Sequence, residues 1–498
     1  MALWSFGDHW DSRVASVKHD PGAECACGIR FWRLVSSGIA FCRTFCNEIE
    51  TSDYTVDMKE LARPHMTVII PTRERAQTLR ETLKTCIAQD YDKLQIIVSD
   101  NCSEDDTAAV VKGFSDPRIR YIKTNIRLSM SRNWEFALSH VDEGFVTVIG
   151  DDDGLIPGSV TDAANILCRT NQEALAWYKA EYHWPDHPSS LLRNKLLVPP
   201  DNLLIHMKAN HVLRDAGSLI LPYNKLPTLY NSFVSVPVIE SVKRRTGVFF
   251  NSVTPDIYSG FALLSVLDSY LYSSRPFSIN GASGRSNGST ALFSQKVEGE
   301  MLHFLLENDI EQNDQIQVIP GAVYSSLGEA MLQASRYCFD GRLALSRKRL
   351  LKLIARDVAR LSEERKGDAS RELLRMADRL GHRKAIEKYL KSLPVDKGNK
   401  LRPDLKQCGI FERGQIRFWG HRHEISNVTD AAQFVGVLLN PYSLPGRVLS
   451  YSRRTLVLTE RMCDFHILAR IEAVRESIAV WVRSLLVKLS PLKTGIPG

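Results

Sequence analysis

The sequence predicts an α/β fold, in which a mostly parallel sheet is followed by a mainly helical carboxyl-terminal region. Four short apolar runs, rich in β-branched residues, begin at residues 66, 94, 119 and 145, and each is typical of a buried strand. Helical patterns separate these runs, and strands that alternate with helices form parallel sheets through right-handed crossovers. From about residue 297 onward, apolar positions recur at helical spacing.

The polar residues that follow the predicted strands are expected to line one pocket, because ligands bind outside the carboxyl ends of parallel strands. They form three clusters: Thr72 to Arg75, Asp100 to Asp106, and Asp151 to Asp153. Strands are predicted at 66–71, 94–100, 119–123 and 145–150, and helices at 79–87, 106–114 and 129–140.

Residues 170–290 show a less regular pattern, with several prolines that indicate loops. A helix is expected to begin near Pro255, since Thr254 can cap it and proline suits the first helical position. The segment 281–290 is predicted to be a flexible loop, and residues 395–425 are polar and loop-like.

The chain of 498 residues is too long for one ordinary core, so two or three domains are expected. Arg63-Pro64 marks the first boundary, because an X-Pro pair disfavours helix. We predict an amino-terminal extension with a short helix at 31–49 (residues 1–63), an α/β domain (residues 64–290) and a mainly helical region (residues 291–498).

Composition is that of a globular protein, with 44% hydrophobic and 24% charged residues. The net charge of +7 suits a diphosphate-binding site but does not indicate a nucleic-acid partner. Neither a membrane span nor a secretory signal is predicted. The spacings among Cys25, Cys27, Cys42 and Cys46 are poor for zinc, so free thiols in the cytoplasm are expected.

An amphipathic helix is predicted at 461–489. Its apolar stripe runs from Ile467 to Leu485, and basic residues slightly exceed acidic ones. Packing against the rest of the protein is the favoured interpretation of this stripe. Peripheral contact with an anionic membrane, at the inner face, is the alternative.

Three consecutive aspartates, Asp151, Asp152 and Asp153, follow the fourth predicted strand. Adjacent carboxylates repel one another, and a hard cation such as Mg²⁺ or Mn²⁺ prefers carboxylate and phosphate oxygens. The pattern therefore indicates a metal site, although a solvated acidic turn has the same local sequence.

Four blocks of the chain, in order, resemble the inverting family 2 glycosyltransferases of the GT-A fold, which has a Rossmann-like sheet. The blocks are VIIPTRERAQTLRETLKTCIAQDY, IIVSDNCSEDDT, NIRLSMSRNWEFA and FVTVIGDDDGLIPGSV. The resemblance implies a nucleotide-diphosphosugar donor and a divalent metal. The family's Asp-any-Asp-Asp motif has Gly150 at its first position here, so the resemblance implies a ribose contact at Asp151 and metal contacts at Asp152, with support from Asp153.

The resemblance also assigns the nucleotide pocket. Pro71, Thr72 and Arg75 match the loop that touches the base and ribose, Asp100 matches an acid that binds uracil, and Arg132 with Asn133 matches an Arg-Asn pair before the fourth strand. The acidic motif after the second strand has Asn101 at its second position, which makes uridine specificity less secure. Each residue has a structural alternative: Pro71 can simply end a strand, Arg132 can be a surface residue, and Asp105, the motif's last acid, is better explained as a helix cap.

A general base must come from the second half, because an inverting transfer needs a group that removes the proton from the acceptor hydroxyl. Asp256 is the best candidate, since glycosyltransferases resembling this chain have a catalytic Asp at a similar distance beyond the metal motif. Its structural alternative is an acid in the first turn of a helix, where the dipole lowers its pKa. Arg285 could close over the donor diphosphate or lie in a plain linker.

These residues predict transfer of a sugar, UDP-linked in the first instance, to a hydroxyl of a glycan, lipid-linked or protein acceptor. Two alternatives remain at this stage. A nucleotidyltransferase also uses a sheet with acidic metal ligands, but no Gly-rich phosphate loop follows the first strand. A non-catalytic sugar-nucleotide-binding scaffold would have had no need to keep Asp151, Asp152 and Asp256.

Overall fold

The computed structural model describes residues 63–199, 201–286, 307–393, 410–412 and 415–440. Within them the strands are β1 (Met66–Thr72), β2 (Leu94–Asp100), β3 (Ile119–Lys123), β4 (Phe145–Val148), β5 (Gly154–Leu155), β6 (Ala174–Trp177), β7 (Ala180–His183), β8 (Lys195–Val198), β9 (Leu204–Lys208), β10 (Ser232–Ser235), β11 (Ser269–Ser273), β12 (Ser278–Ala282), β13 (Ile410–Glu412) and β14 (Gln415–Trp419).

The helices of the same residues are α1 (Ala76–Ile87), α2 (Thr107–Lys112), α3 (Met130–Leu138), α4 (Ser159–Thr170), α5 (Ala209–Gly217), α6 (Val236–Thr246), α7 (Pro255–Leu264), α8 (Val323–Cys338), α9 (Arg347–Ala359), α10 (Glu363–Arg379), α11 (Arg383–Ser392) and α12 (Val428–Leu439). Tyr223–Lys225 and Gly420–Arg422 are short 3₁₀ turns.

An eight-stranded sheet with the order β3-β2-β1-β4-β10-β6-β11-β9 carries the predicted strands. Strands β3, β2, β1 and β4 are mutually parallel, as predicted. β1 lies in the middle of this set and is buried at every position except Pro71, which explains its continuous apolar sequence. Strand β10 pairs with β4 in the antiparallel sense, so the sheet is mixed beyond that point.

A second sheet, with the order β13-β14-β8-β7-β12-β5, has no counterpart in the sequence-based prediction. Two expectations need correction here. Residues 281 and 282 belong to β12 instead of to a loop, and the segment predicted to be loop-like at 395–425 contains β14. β14 pairs with β8, more than two hundred residues earlier in the chain, and such a distant partner leaves no local pattern.

Helices α8 to α11 confirm the mainly helical character of the region after residue 307. They share an apolar core that includes Leu350, Ile354, Leu373 and Met376. α8 also packs against α7, and α12 packs against α1 and the second sheet. The helical region therefore touches the elements that carry the predicted site.

Several expectations lie outside the described residues: the helix at 31–49, the amphipathic helix at 461–489, the four cysteines from Cys25 to Cys46, and residues 287–290 of the predicted loop. Among the helices that are described, none combines the length and the apolar character needed to cross a bilayer. In the same residues, Cys86, Cys102, Cys168 and Cys338 are free thiols.

Candidate active site

Asp151 joins the end of β4 to the end of β1. Its carboxylate accepts a hydrogen bond of 2.7 Å from the hydroxyl of Thr72 and one of 2.9 Å from the guanidinium of Arg75. The register of the sheet explains this meeting, because β1 lies beside β4 and both end at the same edge. Three residues predicted to bind the nucleotide-sugar are thus brought together, with Asp151 only 2% exposed.

Asp152 is fully buried and faces the loop that follows β12. One carboxylate oxygen, Oδ2, accepts hydrogen bonds from the hydroxyl and the backbone N–H of Ser283, at 2.7 and 3.2 Å. The indole N–H of Trp184 donates to the backbone carbonyl of Asp152 at 3.0 Å. Gly281 permits this close approach, since a Cβ there would overlap that same carbonyl.

Asp153 uses both carboxylate oxygens inside the protein. Oδ1 accepts the N–H of Gly281 at 2.7 Å, while Oδ2 accepts the N–H of Gly150 at 2.7 Å and the hydroxyl of Tyr230 at 2.5 Å. Burial raises the pKa of Asp153, and the neighbouring charge of Asp152 raises it further. The turn therefore concentrates negative charge that a cation would relieve.

Lys179 lies between β6 and β7, with its ammonium group 4.0 Å from the centre of the Tyr230 ring. Burial lowers the pKa of Lys179, and the carboxylates of Asp153, Asp256 and Glu181 act against that change. The pKa of Tyr230 is raised well above its usual value, first by burial and then by Asp153, Asp152 and Asp256. Both side chains therefore lie within electrostatic reach of the aspartate turn and of Asp256.

Asp256 is in the first turn of α7, where the sequence predicted a helix start, and it is 4% exposed. Thr254 is the N-cap residue, but its hydroxyl does not cap the helix. Burial raises the pKa of Asp256, and the N–H of Ile257 and the charge of Lys179 offset only part of that rise. Asp256 is therefore a stronger base than the helix dipole alone would make it. Its Oδ1 atom has no hydrogen-bond partner among the described residues.

Asp100 ends β2 beside Thr72 of β1, at the predicted nucleotide pocket. Asp100 is fully buried and accepts hydrogen bonds from the N–H of Ser103 at 2.8 Å and the hydroxyl of Tyr121 at 2.5 Å. Asp105 accepts the N–H groups of Ala76 and Thr107, both at 3.0 Å, which is the cap-like role favoured from the sequence. Pro71 is a partly buried residue inside β1, next to Thr72.

Two arginines lie at the rim of this pocket. Arg132 forms an ion pair of 2.7 Å with Asp309 of the carboxyl-terminal region. The guanidinium of Arg285 donates to the backbone carbonyl of Glu74 at 2.9 Å, and the carbonyl of Arg285 accepts a hydrogen bond from Arg75. Arg285 therefore links the segment after β12 to the loop after β1, whereas Arg132 pairs with Asp309.

Lys179, Tyr230 and Ser283 belong to the site but were not predicted. Lys179 and Tyr230 stand singly in segments without a motif, and no local pattern could have found them. Ser283 was within the Gly-rich segment whose only predicted contributor was Arg285.

A divalent cation fits this site only together with a donor. No group of three or more His, Cys, Asp or Glu side chains in the described part of the chain is arranged to hold a metal alone. Asp151 and Asp153 use both carboxylate oxygens in hydrogen bonds within the protein, and Asp152 uses Oδ2 in the same way. Mg²⁺ commonly takes one or two carboxylates and completes its shell with phosphate oxygens and water.

Comparison with known sequences identifies the region that carries part of this site, from Thr72 to Lys179. Residues 67–211 match the family model described as glycosyl transferase family 2. A Campylobacter jejuni GalNAc(5)-diNAcBac-PP-undecaprenol beta-1,3-glucosyltransferase is 37% identical over 101 residues, 20% of this chain and 33% of that protein. The putative colanic acid biosynthesis glycosyl transferase WcaA of Escherichia coli is 28% identical over 100 residues, 20% of this chain and 36% of that protein. The chain thus spans about a third of the length of these relatives.

Solved structures with a similar chain trace include Staphylococcus aureus TarS 1-349 in complex with UDP-GlcNAc. It shows 14% identity and a TM-score of 0.38, with 71% of this chain and 98% of that chain covered. A mannosyltransferase from Pyrobaculum calidifontis, in complex with GDP-Man and Mn²⁺, gives 15% identity and a TM-score of 0.34, with 76% and 88% covered. The family match and the observed sheet confirm the predicted fold class, a GT-A-like α/β sheet followed by helices. Residues 67–211 of this chain are therefore similar to glycosyl transferase family 2.

Proposed function

We propose that the protein is an inverting glycosyltransferase that moves a sugar from a UDP-linked donor to an acceptor hydroxyl. The observation that carries the proposal is the common neighbourhood of the aspartate turn and Asp256. Lys179 and Tyr230 are each within electrostatic reach of Asp153 and Asp256. A donor held at the strand ends would thus present its sugar to a buried carboxylate on the opposite side.

The donor side is built around Asp151. Thr72 and Arg75 hold its carboxylate in one orientation, so it can accept a hydrogen bond from a ribose hydroxyl without first reorganising. Asp100 and Tyr121 would shape the end of the pocket that takes the base. Arg285 closes the neighbouring rim, where a guanidinium suits the oxygens of a diphosphate.

Asp152 would hold Mg²⁺ or Mn²⁺, with Asp153 fixing the turn from behind. When bound, the cation neutralises the charge of the diphosphate leaving group. Ser283 keeps the carboxylate of Asp152 directed along the edge of β12. Lys179 adds a second positive charge on the side facing Asp256.

Asp256 would act as the general base. The acceptor hydroxyl gives its proton to Oδ1 while its oxygen bonds to the anomeric carbon, and the bond from that carbon to the diphosphate breaks on the opposite face. The raised pKa of Asp256 makes it a stronger base than an exposed aspartate. The anomeric centre is inverted, and no covalent intermediate is needed.

We further propose a glycan, lipid-linked or protein acceptor, in the synthesis of a polysaccharide or glycoconjugate. The support is the name of the Campylobacter relative, which acts on an undecaprenol-diphosphate-linked glycan.

The experiment is a nucleotide-release assay with UDP-glucose, UDP-GlcNAc, UDP-galactose and GDP-mannose, each with Mn²⁺ and with excess EDTA. Release of UDP that requires Mn²⁺ supports the proposal, and Glu363→Gln, at an exposed acid of α10, serves as control. Release of pyrophosphate from a nucleoside triphosphate, assayed separately, would instead favour a nucleotidyltransferase. Tight UDP binding without turnover of any donor would favour a binding scaffold.

A further inference from the structure

Glu329 is a buried carboxyl group that the proposed chemistry does not use. It lies on α8, in the carboxyl-terminal helical region, and has no exposed surface. Its Oε2 atom accepts a hydrogen bond of 2.5 Å from the hydroxyl of Ser252. Burying a carboxyl group is costly unless it is hydrogen-bonded, so this contact calls for an explanation.

Ser252 is the centre of a small network just before the base-bearing helix. Its backbone carbonyl accepts the hydroxyl of Ser131 at 2.6 Å, and its own hydroxyl oxygen accepts the N–H of Thr254 at 3.2 Å. The hydroxyl of Thr254 lies 3.4 Å from the carbonyl of Ser326, on the same helix as Glu329. Ser252 and Thr254, just before Pro255, are therefore held by α8 and not by a cap of α7 itself.

A second buried oxygen of Glu329 lies on the same helix as a buried oxygen of Gln333. Neither Oε1 of Glu329 nor Oε1 of Gln333 has a hydrogen-bond partner among the described residues. The two residues are four apart on α8 and hence share a face. A proton on Glu329 would provide a hydrogen-bond donor on that face.

Burial raises the pKa of Glu329 to about 7, and hydrogen bonds from Ser252, Gln333 and the N–H of Val253 offset part of that rise. No charged group is among these causes. The titratable groups on the elements around Glu329 include Asp256 and Tyr258 on α7, Glu240 and Lys243 on α6, Glu135 on α3, Arg356 and Asp357 on α9, Tyr324, Arg336, Tyr337 and Cys338 on α8 itself, and Glu311 before α8. The group is therefore expected to change its charge near neutral pH.

We infer that Glu329 is a positioning residue for the general base: its carboxyl group holds Ser252, and through Ser252 the turn from which Asp256 projects. The inference rests on the proposed role of Asp256. A residue of the carboxyl-terminal helical region would thus help to hold the proposed base, which lies on α7. Loss of the contact should slow the proton transfer step and leave the donor side unchanged, since Asp151 and Asp152 are held by other residues.

The test compares wild type with Glu329→Gln, Glu329→Ala and Ser252→Ala. We measure kcat for UDP release from the donor that the wild type turns over, and the Kd of UDP by calorimetry. Glu329→Gln should keep kcat at pH 6.5 within about threefold, because its amide can replace the carboxyl O–H toward Gln333. Glu329→Ala and Ser252→Ala should lower kcat about tenfold or more with the UDP Kd unchanged.

The kcat profile against pH separates positioning from general stability. Ser252 can donate to Glu329 in either protonation state, so wild type and Glu329→Gln should have parallel kcat profiles from pH 6.5 to 8.5, whereas both alanine variants should have a lower kcat at every pH. Asp357→Asn is the matched control, since Asp357 is another carboxyl with a raised pKa and accepts the N–H of Tyr324 at the start of α8. It should lower the melting temperature without changing the kcat profile.

Wild-type kcat in both alanine variants, or a loss of kcat in Glu329→Gln as large as that in Glu329→Ala, would overturn the inference. Asp256→Asn run in parallel distinguishes the two levels of proposal. If Asp256→Asn abolishes release while the Glu329 and Ser252 variants behave as wild type, only the positioning role fails. If Asp256→Asn is fully active, the base assignment fails, and the inference fails with it.

Discussion

Asp151 and Asp153, which follow β4, differ from Asp256 and Glu329 in how completely the protein satisfies their carboxylates. Asp151 and Asp153 have both oxygens engaged, by Thr72, Arg75, Tyr230, Gly281 and Gly150. Asp256 and Glu329 each retain one buried oxygen with no hydrogen-bond partner in the described residues, and burial raises the pKa of both.

The difference follows from what each side is proposed to do. Groups that orient a donor gain from being rigid, because each fixed rotamer removes an entropy cost at binding. A group that accepts a proton needs an open lone pair and a pKa closer to the working pH. The donor side would thus be prearranged, and the acceptor side would be kept ready for proton transfer.

The largest expected effect is at Asp152. Asp152→Asn should reduce transfer about a thousandfold or more and remove Mn²⁺-dependent UDP binding, because it removes the carboxylate proposed to hold the cation. Calorimetry of UDP with and without Mn²⁺ and a transfer assay check this. Asp153→Asn is the comparison on the same turn, and it should mainly lower the melting temperature. Full activity of Asp152→Asn, or of wild type in EDTA, would reject the metal site.

Asp256→Asn should lower transfer about a hundredfold, the usual order for a lost general base, with UDP affinity unchanged. The same substitution should leave the stability of the fold unchanged or increase it. The raised pKa means that the ionised carboxylate destabilises the fold as pH rises above the ordinary value for aspartate, so Asn should keep or raise the melting temperature at pH 8. A lower melting temperature with normal transfer would return Asp256 to a helix-start role.

Lys179→Met should act on the acceptor side through charge. Without the ammonium group the pKa of Asp256 rises further, so the acidic limb of the kcat/KM profile should move to higher pH. A shift of one unit corresponds to about a tenfold loss below the pKa. Lys179→Arg, which keeps the charge, is the control. An unmoved acidic limb in Lys179→Met would mean that Lys179 does not act on the base.

The smallest effect concerns the base pocket. Asp100→Asn should weaken UDP binding about fivefold to tenfold with kcat at saturation nearly unchanged, as expected for contacts to a part of the donor that does not react. Tyr121→Phe tests how Asp100 acts. Equal losses in both variants indicate that Asp100 works through Tyr121, and a larger loss in Asp100→Asn indicates a direct contact. Unchanged UDP affinity in Asp100→Asn would remove it from the pocket.

The parallel half of the sheet could be predicted because each strand is short, apolar and buried on both faces, and because its polar residues follow at the strand ends. The meeting of Thr72, Arg75 and Asp151 follows from that rule alone. The position of Asp256 came from spacing in a resembling family, and its burial was not visible. The helix start suggested a lowered pKa, whereas the fold supplies enough burial to raise it.

The second sheet and the helical contacts could not be predicted, for a different reason. β8 and β14 are only four and five residues long, and their pairing spans more than two hundred residues. Glu329 lies on a helix that is buried almost all round, so helical periodicity cannot distinguish its position from a solvated one. Lys179 and Tyr230 gain their roles only from tertiary neighbours.

The pairing of β14 with β8 also affects how the chain folds during its synthesis. Until residues 415–419 have left the ribosome, β8 is an unpaired edge whose four residues would otherwise all be buried, and such edges invite contact with other chains. Helix α12 adds a second contact that can form only late in synthesis, because the hydroxyl of Thr429 donates a hydrogen bond to Glu81 of α1. A chain ended at residue 290 would keep every predicted site residue and still expose this edge. Expression of the catalytic half alone should therefore yield aggregates, and co-expression of residues 410–440 should improve its recovery.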